Sequence, residues 1–398
     1  MAARARLDIC TSKGVDAELR RHDEEAPPHP MKIIEITNVD FSLRHFLLPL
    51  MRAIRARGHE AVGGCAEGPL LDGVRAEGFR VIAIPFVRRL SPLAHVRAFA
   101  SLVDILRAEK PDIVHGHMPI SGFLARLAAR VAGVPTVAYT CHGFLFNHAS
   151  SSLPRRALSF VMEWTAARVT DVFMTVSDAE ARDARRLGIS SRAVAVLNGR
   201  DPGVFRPDAM ARARIRADLG VPPDRVVVIA VSRLVWHKGY PELAAAMRSV
   251  PEAELWVVGE RLDSDRGADM IALLRAAGLG FRLRLLGYRE DIPALLAAAD
   301  IFTLPSRFEG LPMSVIEAML TGLPVVATNV RGPDEQVEHG VTGLKVPPGD
   351  AAALGSALAT LARDPAARVR MGEAGRQRAL DCYDEAKVLA RTLDLLGL

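Results

Sequence analysis

The stretch "DIFTLPSRFEGLPMSVIEAMLTGLPVVAT" at residues 300–328 contains one complete strand–loop–helix–strand unit. The apolar runs "DIFTLPS" and "PVVAT" predict buried strands, and the segment between them predicts a helix that begins near Ser314. Two strands joined through a helix run parallel in one sheet. The stretch therefore predicts a parallel sheet whose two faces are covered by helices.

The same alternation of strand and helix runs through the rest of the chain. Strand-like runs in the first half are "KIIEIT", "EAVGG", "RVIAIP", "DIVHGH", "PTVAYT" and "DVFMTVS", and in the second half "RVVVIAVS", "AELWVVG", "RLRLLG" and "GLKVP". A Gly-, Pro- and Asp-rich segment at residues 198–208 separates the halves and predicts a linker. A chain of 398 residues is also too long for one core. We therefore predict an α/β fold of two doubly wound, Rossmann-like domains that face each other across a cleft.

Composition and missing motifs exclude several classes of function. No G-x-G-x-x-G follows the first strand and no P-loop motif is present, so NAD enzymes and P-loop NTPases are not favoured. Aromatic residues make up only 5%, which argues against a nucleic-acid partner, although the net charge is +5. The four cysteines show no paired spacing, and neither a membrane span nor a secretory signal is recognisable. We expect a reduced, cytoplasmic protein that contains a disordered leader over residues 1–30.

Two acidic residues in the quoted stretch are the first candidates for a binding site. Glu309 lies at the tip of a predicted strand, where ligands of this fold bind, in a turn shaped by Gly310, Leu311 and Pro312. We expect Glu309 to accept hydrogen bonds from sugar hydroxyls, Glu317 in the first helical turn to bind a ribose diol, and backbone N–H groups at 311–314 to bind a diphosphate. The alternatives are a solvated turn acid for Glu309 and a capping box, Ser314-x-x-Glu317, for Glu317.

Two cations follow the first strand of the second half. Arg233 and Lys238 lie in "VSRLVWHKGYPEL" beside the turn residue Gly239, and together they could bind a diphosphate and stabilise it as a leaving group. The alternative is an ordinary pair of surface charges.

A histidine follows a strand of the first half, in "TCHGFLF". His142 could donate a hydrogen bond to a sugar hydroxyl or polarise a leaving group, and the alternative is a packed loop histidine. A Cys141–His142 nucleophile is weak, since adjacent side chains on a strand point apart.

No metal site is predicted. Asp263 and Asp265 lie in a polar loop that we expect to be solvated, and His115 and His117 alternate on one strand without an evident third ligand.

The motifs "FEGLPMSVIEAM", "SRLVWHKG" and "TCHG" together resemble the retaining family-4 glycosyltransferases, which have the GT-B fold. The resemblance covers the chain from about Met31. It implies that residues 31–205 form the acceptor-side domain and that residues 206–380 bind the nucleotide sugar. It also implies that residues 381–398 form a helix crossing back to the first domain. The loop at 37–46 lacks the Gly–Gly pair that many members carry.

The resemblance assigns a role to each candidate residue. Glu309 would contact the donor sugar, Glu317 the ribose, Arg233 and Lys238 the diphosphate, and His142 the transferred sugar. In "GYREDIPALL", Arg289 would lie near the base.

The implied activity is metal-independent and retaining, and it needs no cofactor. A hexose-type sugar would move from a nucleotide sugar, with a UDP-sugar favoured, to a lipid-linked or growing polysaccharide acceptor. A nucleotide-sugar epimerase and a non-catalytic binding or scaffold protein remain alternatives. The segment at 151–170, with Arg155, Arg156, Phe160 and Trp164, resembles an interfacial helix for peripheral contact with the inner membrane, and the alternative is a core-facing amphipathic helix.

Overall fold

The computed structural model describes residues 29–87, 91–148, 151–261, 265 and 267–398. The chain divides into two compact units. The first extends to Leu197 and takes in Val388–Leu398, and the second is Asn198–Lys387. The sequence placed the corresponding limits at 205/206 and 380/381. Most of the predicted leader lies outside the described residues.

The first unit is built on a seven-stranded parallel sheet with the order β3-β2-β1-β4-β5-β6-β7. Six of its strands coincide with the predicted strand-like runs, and the two-residue β7 was not predicted. The strands are β1 (Lys32–Ile36), β2 (Glu60–Cys65), β3 (Arg80–Ala83), β4 (Ile113–His117), β5 (Thr136–Cys141), β6 (Val172–Thr175) and β7 (Val194–Ala195).

Helices connect these strands. The helix after β1 is irregular, because a short α-helical segment at Asp40–Ser42 and a π-helical segment at Leu43–Leu47 precede its regular part. The helices of this unit are α1 (Leu48–Ala56), α2 (Leu71–Ala76), α3 (Pro92–Glu109), α4 (Pro119–Ala132), α5 (Leu153–Ala167) and α6 (Asp178–Arg186), with a 3₁₀ turn at Leu145–Asn147.

Alternate residues of β1 face opposite layers of the first unit. Ile33 packs in a core with Ile54 of α1, whereas Ile34 packs in a second core with Leu102 of α3. This period of two on a doubly covered sheet explains why β1 carries isoleucines on both of its faces. Leu393, in the segment Val388–Leu398, joins the core of Ile33.

The second unit is built on a six-stranded parallel sheet with the order β10-β9-β8-β11-β12-β13. All six strands coincide with predicted runs. They are β8 (Val226–Val231), β9 (Ala253–Val258), β10 (Leu283–Gly287), β11 (Ile301–Leu304), β12 (Val325–Thr328) and β13 (Gly343–Val346).

Nine helices are described for the remainder of the chain. They are α7 (Ala209–Asp218), α8 (Tyr240–Ala246), α9 (Met270–Arg275), α10 (Ile292–Ala298), α11 (Met313–Leu320), α12 (Pro333–Gln336), α13 (Ala351–Arg363), α14 (Pro365–Cys382) and α15 (Glu385–Leu396). Short 3₁₀ segments lie at Trp236–Lys238, Met247–Ser249 and Gly280–Arg282. Within the described parts of the chain, no helix is both long and apolar enough to cross a bilayer.

Both sheets reverse their strand order at a single point. In the first unit the reversal lies between β1 and β4, and in the second between β8 and β11. Loops that leave neighbouring strands in opposite directions open a crevice at such a point, and ligands of open α/β sheets bind there. The candidate residues are therefore located relative to these two points.

The cysteines differ from one another. Cys65 and Cys141 are free and buried, as expected. Cys382 is disulfide-bonded, so the expectation of unpaired cysteines is wrong for this residue. The spacing of cysteines in a sequence does not show which of them the fold brings within bonding distance.

Candidate functional site

The loops that follow β8 and β11 are held together through their backbones. The Arg307 N–H donates to the His237 carbonyl at 2.8 Å. Gly239 has a φ of +78°, and a Cβ at this position would lie 2.0 Å from the Pro305 carbonyl oxygen. Only glycine fits such an approach. The turn glycine of the sequence motif therefore allows two loops at the switch point to touch.

Lys238 and Glu309 meet where these two loops touch. Lys238 Nζ lies 2.6 Å from Glu309 Oε1, and the Ser306 hydroxyl donates to the same oxygen at 2.6 Å. The Lys238 and Glu309 side chains are only 15% and 9% exposed. Both predicted residues are thus brought together, although 71 positions separate them.

The environment of Glu309 excludes the alternative of a solvated turn acid. The residue is buried and its Oε1 is fully engaged, whereas Oε2 accepts no hydrogen bond from the described residues. An ionised carboxylate has lone pairs on both oxygens. Glu309 therefore presents an acceptor at the carboxyl edge of the sheet.

Glu317 lies deeper in α11 than expected and does not cap it. The helix begins at Met313, its N-cap is Pro312 without a side-chain hydrogen bond, and its first turn contains no acidic residue. Both the first-turn placement and the capping box are therefore wrong, because Ser314 is already helical. Glu317 Oε1 instead accepts from Arg200 Nε at 2.7 Å, and Oε2 has no partner in the described residues.

Sequence reasoning missed Arg200, which lies 117 positions from Glu317. A neighbouring side chain reaches the same region, since Asn198 Nδ2 donates to the Leu311 carbonyl at 2.7 Å. Both residues belong to the "NGRDPGVFRP" segment, which the sequence identified only as a linker. Its polar side chains were the available signal.

The turn at 310–312 is fixed from several sides. A Cβ on Gly332 would lie 1.9 Å from the Gly310 carbonyl oxygen, so backbone packs directly on this turn. Gln336 Nε2 donates to the Pro312 carbonyl at 3.0 Å. Pro312 has no N–H, so the expected row of backbone donors at 311–314 is interrupted there. The first-turn N–H groups of Met313 and Ser314 have no acceptor within the helix.

Arg233 and Arg289 each form an ion pair with a nearby acid. Arg233 Nη1 lies 2.6 Å from Asp265 Oδ1, and Arg289 forms two hydrogen bonds with Asp291, at 2.7 and 2.6 Å. The expectation that Asp265 is solvated is wrong, because its side chain is only 12% exposed. Asp263 lies outside the described residues. The Arg233 side chain is 46% exposed, and its contact with a diphosphate stays a prediction.

His142 belongs to a buried polar cluster at the switch point of the first unit. Glu35 of β1 lies between two histidines of β4, with its Oε2 3.0 Å from His115 Nδ1 and 2.7 Å from His117 Nε2. His117 Nδ1 lies 3.1 Å from His142 Nε2. His142 is thus a packed loop histidine with a polar partner, and its role toward a sugar stays a prediction. The cluster was not predicted as a unit.

The charges of this cluster follow from its burial. Burial opposes ionisation of Glu35, but the contacts with His115 and His117 outweigh it and lower its pKa to about 2. Burial and the neighbouring His115 lower the pKa of His117 to about 4. Burial and then His117 lower the pKa of His142 to about 3. At neutral pH Glu35 is therefore a carboxylate, and His117 and His142 are neutral imidazoles.

The expectation that His115 and His117 lack a third ligand is wrong. Ligand atoms of Glu35, His115 and His117 all lie within 4.8 Å of one another. The residue types would suit Zn²⁺ or another divalent metal. However, each of these atoms already takes part in a hydrogen bond within the cluster, which accounts for the short separations. The signal that sequence reasoning overlooked was the acid within "KIIEIT", a charge in an otherwise apolar strand.

The surroundings of Cys141 disfavour a nucleophilic thiolate, because its side chain is buried. Burial and nearby acids raise the pKa of its thiol well above the ordinary value, so it stays protonated. This agrees with the low weight given to a Cys141–His142 pair.

Two protein-family models match this chain, one over its first half and the other over its second half. Residues 43–199 match the family described as "Glycosyl transferase 4-like domain", and residues 211–378 match "Glycosyl transferases group 1". The Escherichia coli UDP-Gal:alpha-D-GlcNAc-diphosphoundecaprenol alpha-1,3-galactosyltransferase is 30% identical over 83% of this chain and 87% of its own.

Two further proteins extend the comparison. The Campylobacter jejuni N,N'-diacetylbacillosaminyl-diphospho-undecaprenol alpha-1,3-N-acetylgalactosaminyltransferase is 25% identical over 92% of this chain and 98% of its own. The crystal structure of Anabaena Alr3699/HepE in complex with UDP and glucose superposes with a TM-score of 0.80 at 23% identity, covering 92% and 99% of the two chains.

Two parallel-sheet α/β units are the architecture of the GT-B class of sugar transferases. The chain belongs to glycosyltransferase family 4, and it is a glycosyltransferase.

Proposed function

We propose that this glycosyltransferase moves a hexose-type sugar from a UDP-sugar to a hydroxyl of a lipid-linked or growing polysaccharide acceptor, with retention and without a metal. The observation that carries the proposal is the Lys238–Glu309 pair at the β8/β11 switch point. It places a cation and an acceptor carboxylate where ligands of open α/β sheets bind. A nucleotide sugar needs both, a positive charge for its diphosphate and an acceptor for its hydroxyls.

The free oxygens of the two glutamates support separate roles. Glu309 Oε2 has no hydrogen-bond partner in the described chain and is the proposed acceptor for donor-sugar hydroxyls. Glu317 Oε2 is likewise open, while Arg200 holds its Oε1, and we propose that it binds the ribose. A carboxylate held by a cation on one oxygen keeps a fixed orientation, which directs its second oxygen toward a ligand.

Two cations are proposed to take the place of a metal at the diphosphate. Lys238 supplies a point charge and Arg233 a planar fork of donors. Both are paired with acids here, so phosphate oxygens would share or replace Glu309 and Asp265 as their partners. Retention without a positioned nucleophile favours attack on the face that the phosphate leaves, with the departing diphosphate accepting the proton.

The proposed acceptor and base rest on the relatives. The names of the galactosyl- and N-acetylgalactosaminyltransferases state a diphosphoundecaprenol-linked acceptor, and the former names UDP-Gal as its donor. A lipid-linked glycan and a UDP-sugar are therefore the acceptor and donor proposed here. Arg289 is proposed to lie near the base.

Contact with a membrane surface is proposed through α5. Leu158, Val161 and Trp164 are 56%, 53% and 42% exposed and follow one another every three residues, beside the exposed Arg155. Phe160, by contrast, packs on Phe146 in the core. One face of the helix is thus core and another is apolar and open, which suits a surface carrying an anionic lipid acceptor.

A thermal-shift panel of UDP, GDP, ADP and their sugars, with and without EDTA, tests the donor site. A ligand that binds only the folded state raises its melting temperature with concentration. We expect UDP and a UDP-sugar to stabilise the wild type equally with EDTA, and Glu317→Ala to lose the shift. A shift that requires a divalent metal would overturn metal independence.

Measuring the turnover of Lys238→Met tests the transferase against the epimerase and scaffold alternatives. Removal of one charge-stabilising group at a leaving phosphate typically costs 10²–10³ in kcat. We expect a loss of about 10²-fold, whereas Lys345→Met, which breaks the pair with Asp334, keeps wild-type turnover. Release of an altered sugar without acceptor would indicate an epimerase. Tight nucleotide binding without transfer to any diphosphoundecaprenol-linked glycan would favour the scaffold alternative.

A further inference from the structure

Proton positions in the cluster around Glu35 are constrained by its hydrogen bonds. An ionised carboxylate only accepts hydrogen bonds, whereas a neutral imidazole donates from one ring nitrogen and accepts at the other. Glu35 is fully buried and contacts both His115 and His117, whose contacts keep its pKa near 2. The carboxylate is therefore an obligatory acceptor from both rings.

The constraint passes from Glu35 through His117 to His142. His117 Nε2 must donate to Glu35 Oε2, 2.7 Å away, so Nδ1 of a neutral His117 carries a lone pair. This Nδ1 lies 3.1 Å from His142 Nε2, which must then be the donor. A neutral His142 that is protonated on Nε2 has a lone pair on Nδ1.

We propose that Glu35 and His117 are positioning residues that hold His142 as the Nε2-protonated tautomer, so that His142 Nδ1 accepts a hydrogen bond from a hydroxyl of the substrate. None of the described residues forms a hydrogen bond with this Nδ1. The polarity is opposite to the expectation from sequence that His142 donates. The identity of the hydroxyl, as that of a sugar, rests on the proposed function, but the tautomer itself does not.

The same cluster contains a matched control. His115 Nδ1 donates to the Glu35 carboxylate, and its Nε2 shares a hydrogen bond with the Thr140 hydroxyl at 2.8 Å. This branch leads away from His142. Thr140→Val removes a hydrogen bond of the cluster without touching the path from Glu35 through His117, and it preserves the shape of the side chain.

The test is ¹⁵N NMR of the full chain labelled on its histidine ring nitrogens, at pH 7.5 and without substrate. The ¹⁵N shift distinguishes a ring nitrogen that carries a proton from one that carries a lone pair, and the signals that disappear in His142→Gln assign the residue. We expect a protonated Nε2 and an unprotonated Nδ1 for His142 in the wild type and in Thr140→Val. The opposite tautomer in the wild type would overturn the proposal without any variant.

Glu35→Gln tests the relay itself. The amide offers a donor as well as an acceptor, so His117 is no longer obliged to donate from Nε2. We expect a second tautomer of His142 to appear, seen as a shift of its Nδ1 signal toward the protonated position. An unchanged His142 spectrum in this variant contradicts the proposal, as does a stoichiometric metal ion that copurifies with the wild type and is lost from His115→Ala.

A second NMR experiment, with added ligand, distinguishes failure of this inference from failure of the proposed function. UDP and UDP-glucose are added to the labelled wild type. Movement of the His142 Nδ1 signal with UDP-glucose but not with UDP supports acceptance from a sugar hydroxyl. If neither ligand binds, as judged from the melting temperature, the proposed donor specificity fails while the tautomer result stands. Binding of UDP-glucose that leaves the Nδ1 signal unmoved overturns the contact.

Discussion

Glu309 and Glu317 lie on one loop–helix segment, yet each is held by a cation from a different part of the chain. Lys238 comes from the loop after β8, and Arg200 from the segment that precedes α7. In both carboxylates one oxygen is bound and the other is open. This arrangement fixes the orientation of each acid and leaves it one free acceptor, which is what recognition of a hydroxyl requires.

Acidic pH is expected to destabilise the first unit, because His117 of its histidine cluster binds a proton more readily in the unfolded chain. The folded-state pKa of His117 is about 4, below the unfolded value of about 6.5, so the unfolded chain binds more protons between these pH values. Stability is therefore lost as pH falls from 6.5 toward 4. The groups that face His117 are His115, Glu35 and His142. Glu35 acts in the same direction at lower pH, because its stabilising ionisation is lost as pH falls from about 4.5 toward 2.

Urea unfolding at pH 7 and pH 5 measures this effect. One and a half pKa units correspond to about 2 kcal/mol, which is the expected loss from His117 at pH 5. His117→Asn has no imidazole at this position, and we expect its stability to fall less over the same interval. Equal pH dependence of the two proteins would show that His117 is not the group that titrates.

The sequence singled out residues where the signal was local and missed their partners where these were distant. Lys238 stood out beside a turn glycine and Glu309 at a strand tip, and the structure brings the two together, while their roles stay predictions. The bond between them, the Arg200–Glu317 pair and the His117–Glu35 contact join residues at least 71 positions apart. No periodicity or spacing encodes such a contact. The capping box Ser314-x-x-Glu317 was wrong. The sequence matches the local motif, but in the structure the Glu317 carboxylate accepts a hydrogen bond from Arg200.

At the scale of elements, the site depends on backbone contact between the loops after β8 and β11. Gly239→Ala would place a Cβ 2.0 Å from the Pro305 carbonyl oxygen and also strain a φ of +78°. We expect the loops to separate, the Lys238–Glu309 bond to break and the melting-temperature shift with UDP to disappear. Alanine at a φ incompatible with it costs about 1 kcal/mol by itself.

Gly220→Ala is the matched control for that variant. Gly220 lies in the same unit with a φ of +62°, and nothing lies within 4 Å of its added Cβ. This variant carries the backbone strain without the clash, so we expect a loss of about 1 kcal/mol and an intact response to UDP. If both variants respond to UDP alike, contact between the loops is not what assembles the site.

Elements were predicted better than their irregularities. All predicted strands in both halves are present, because an apolar run that ends in a turn is a strong signal for a doubly covered strand. The π-helical segment at Leu43–Leu47 and the two-residue β7 were missed. The first interrupts an ordinary helical pattern and the second is too short to show a period.

At the scale of the whole molecule, the proposed contact of α5 with a membrane surface can be tested by vesicle flotation. We expect the wild type to float with vesicles that contain anionic lipid, and Leu158→Glu combined with Val161→Glu to stay in solution. Glutamate removes exposed apolar area and adds repulsion from the anionic surface.

The control for flotation is Met210→Glu combined with Val369→Glu. Met210 and Val369 are also strongly exposed apolar residues, but they lie on α7 and α14 of the second unit. We expect this variant to float like the wild type. Equal loss of flotation in both double variants would indicate a nonspecific effect of charge and remove α5 as the membrane-contacting element.

The contact between Lys238 and Glu309 also has a consequence for folding and quality control. The two residues follow different strands, so their contact exists only after β8 and β11 have paired. A ligand that engages both residues binds the folded chain and not the unfolded one, so its stabilisation of the chain grows with the logarithm of its concentration. The supply of such a ligand would therefore set the abundance of a weakened variant in the cell as well as its rate of turnover.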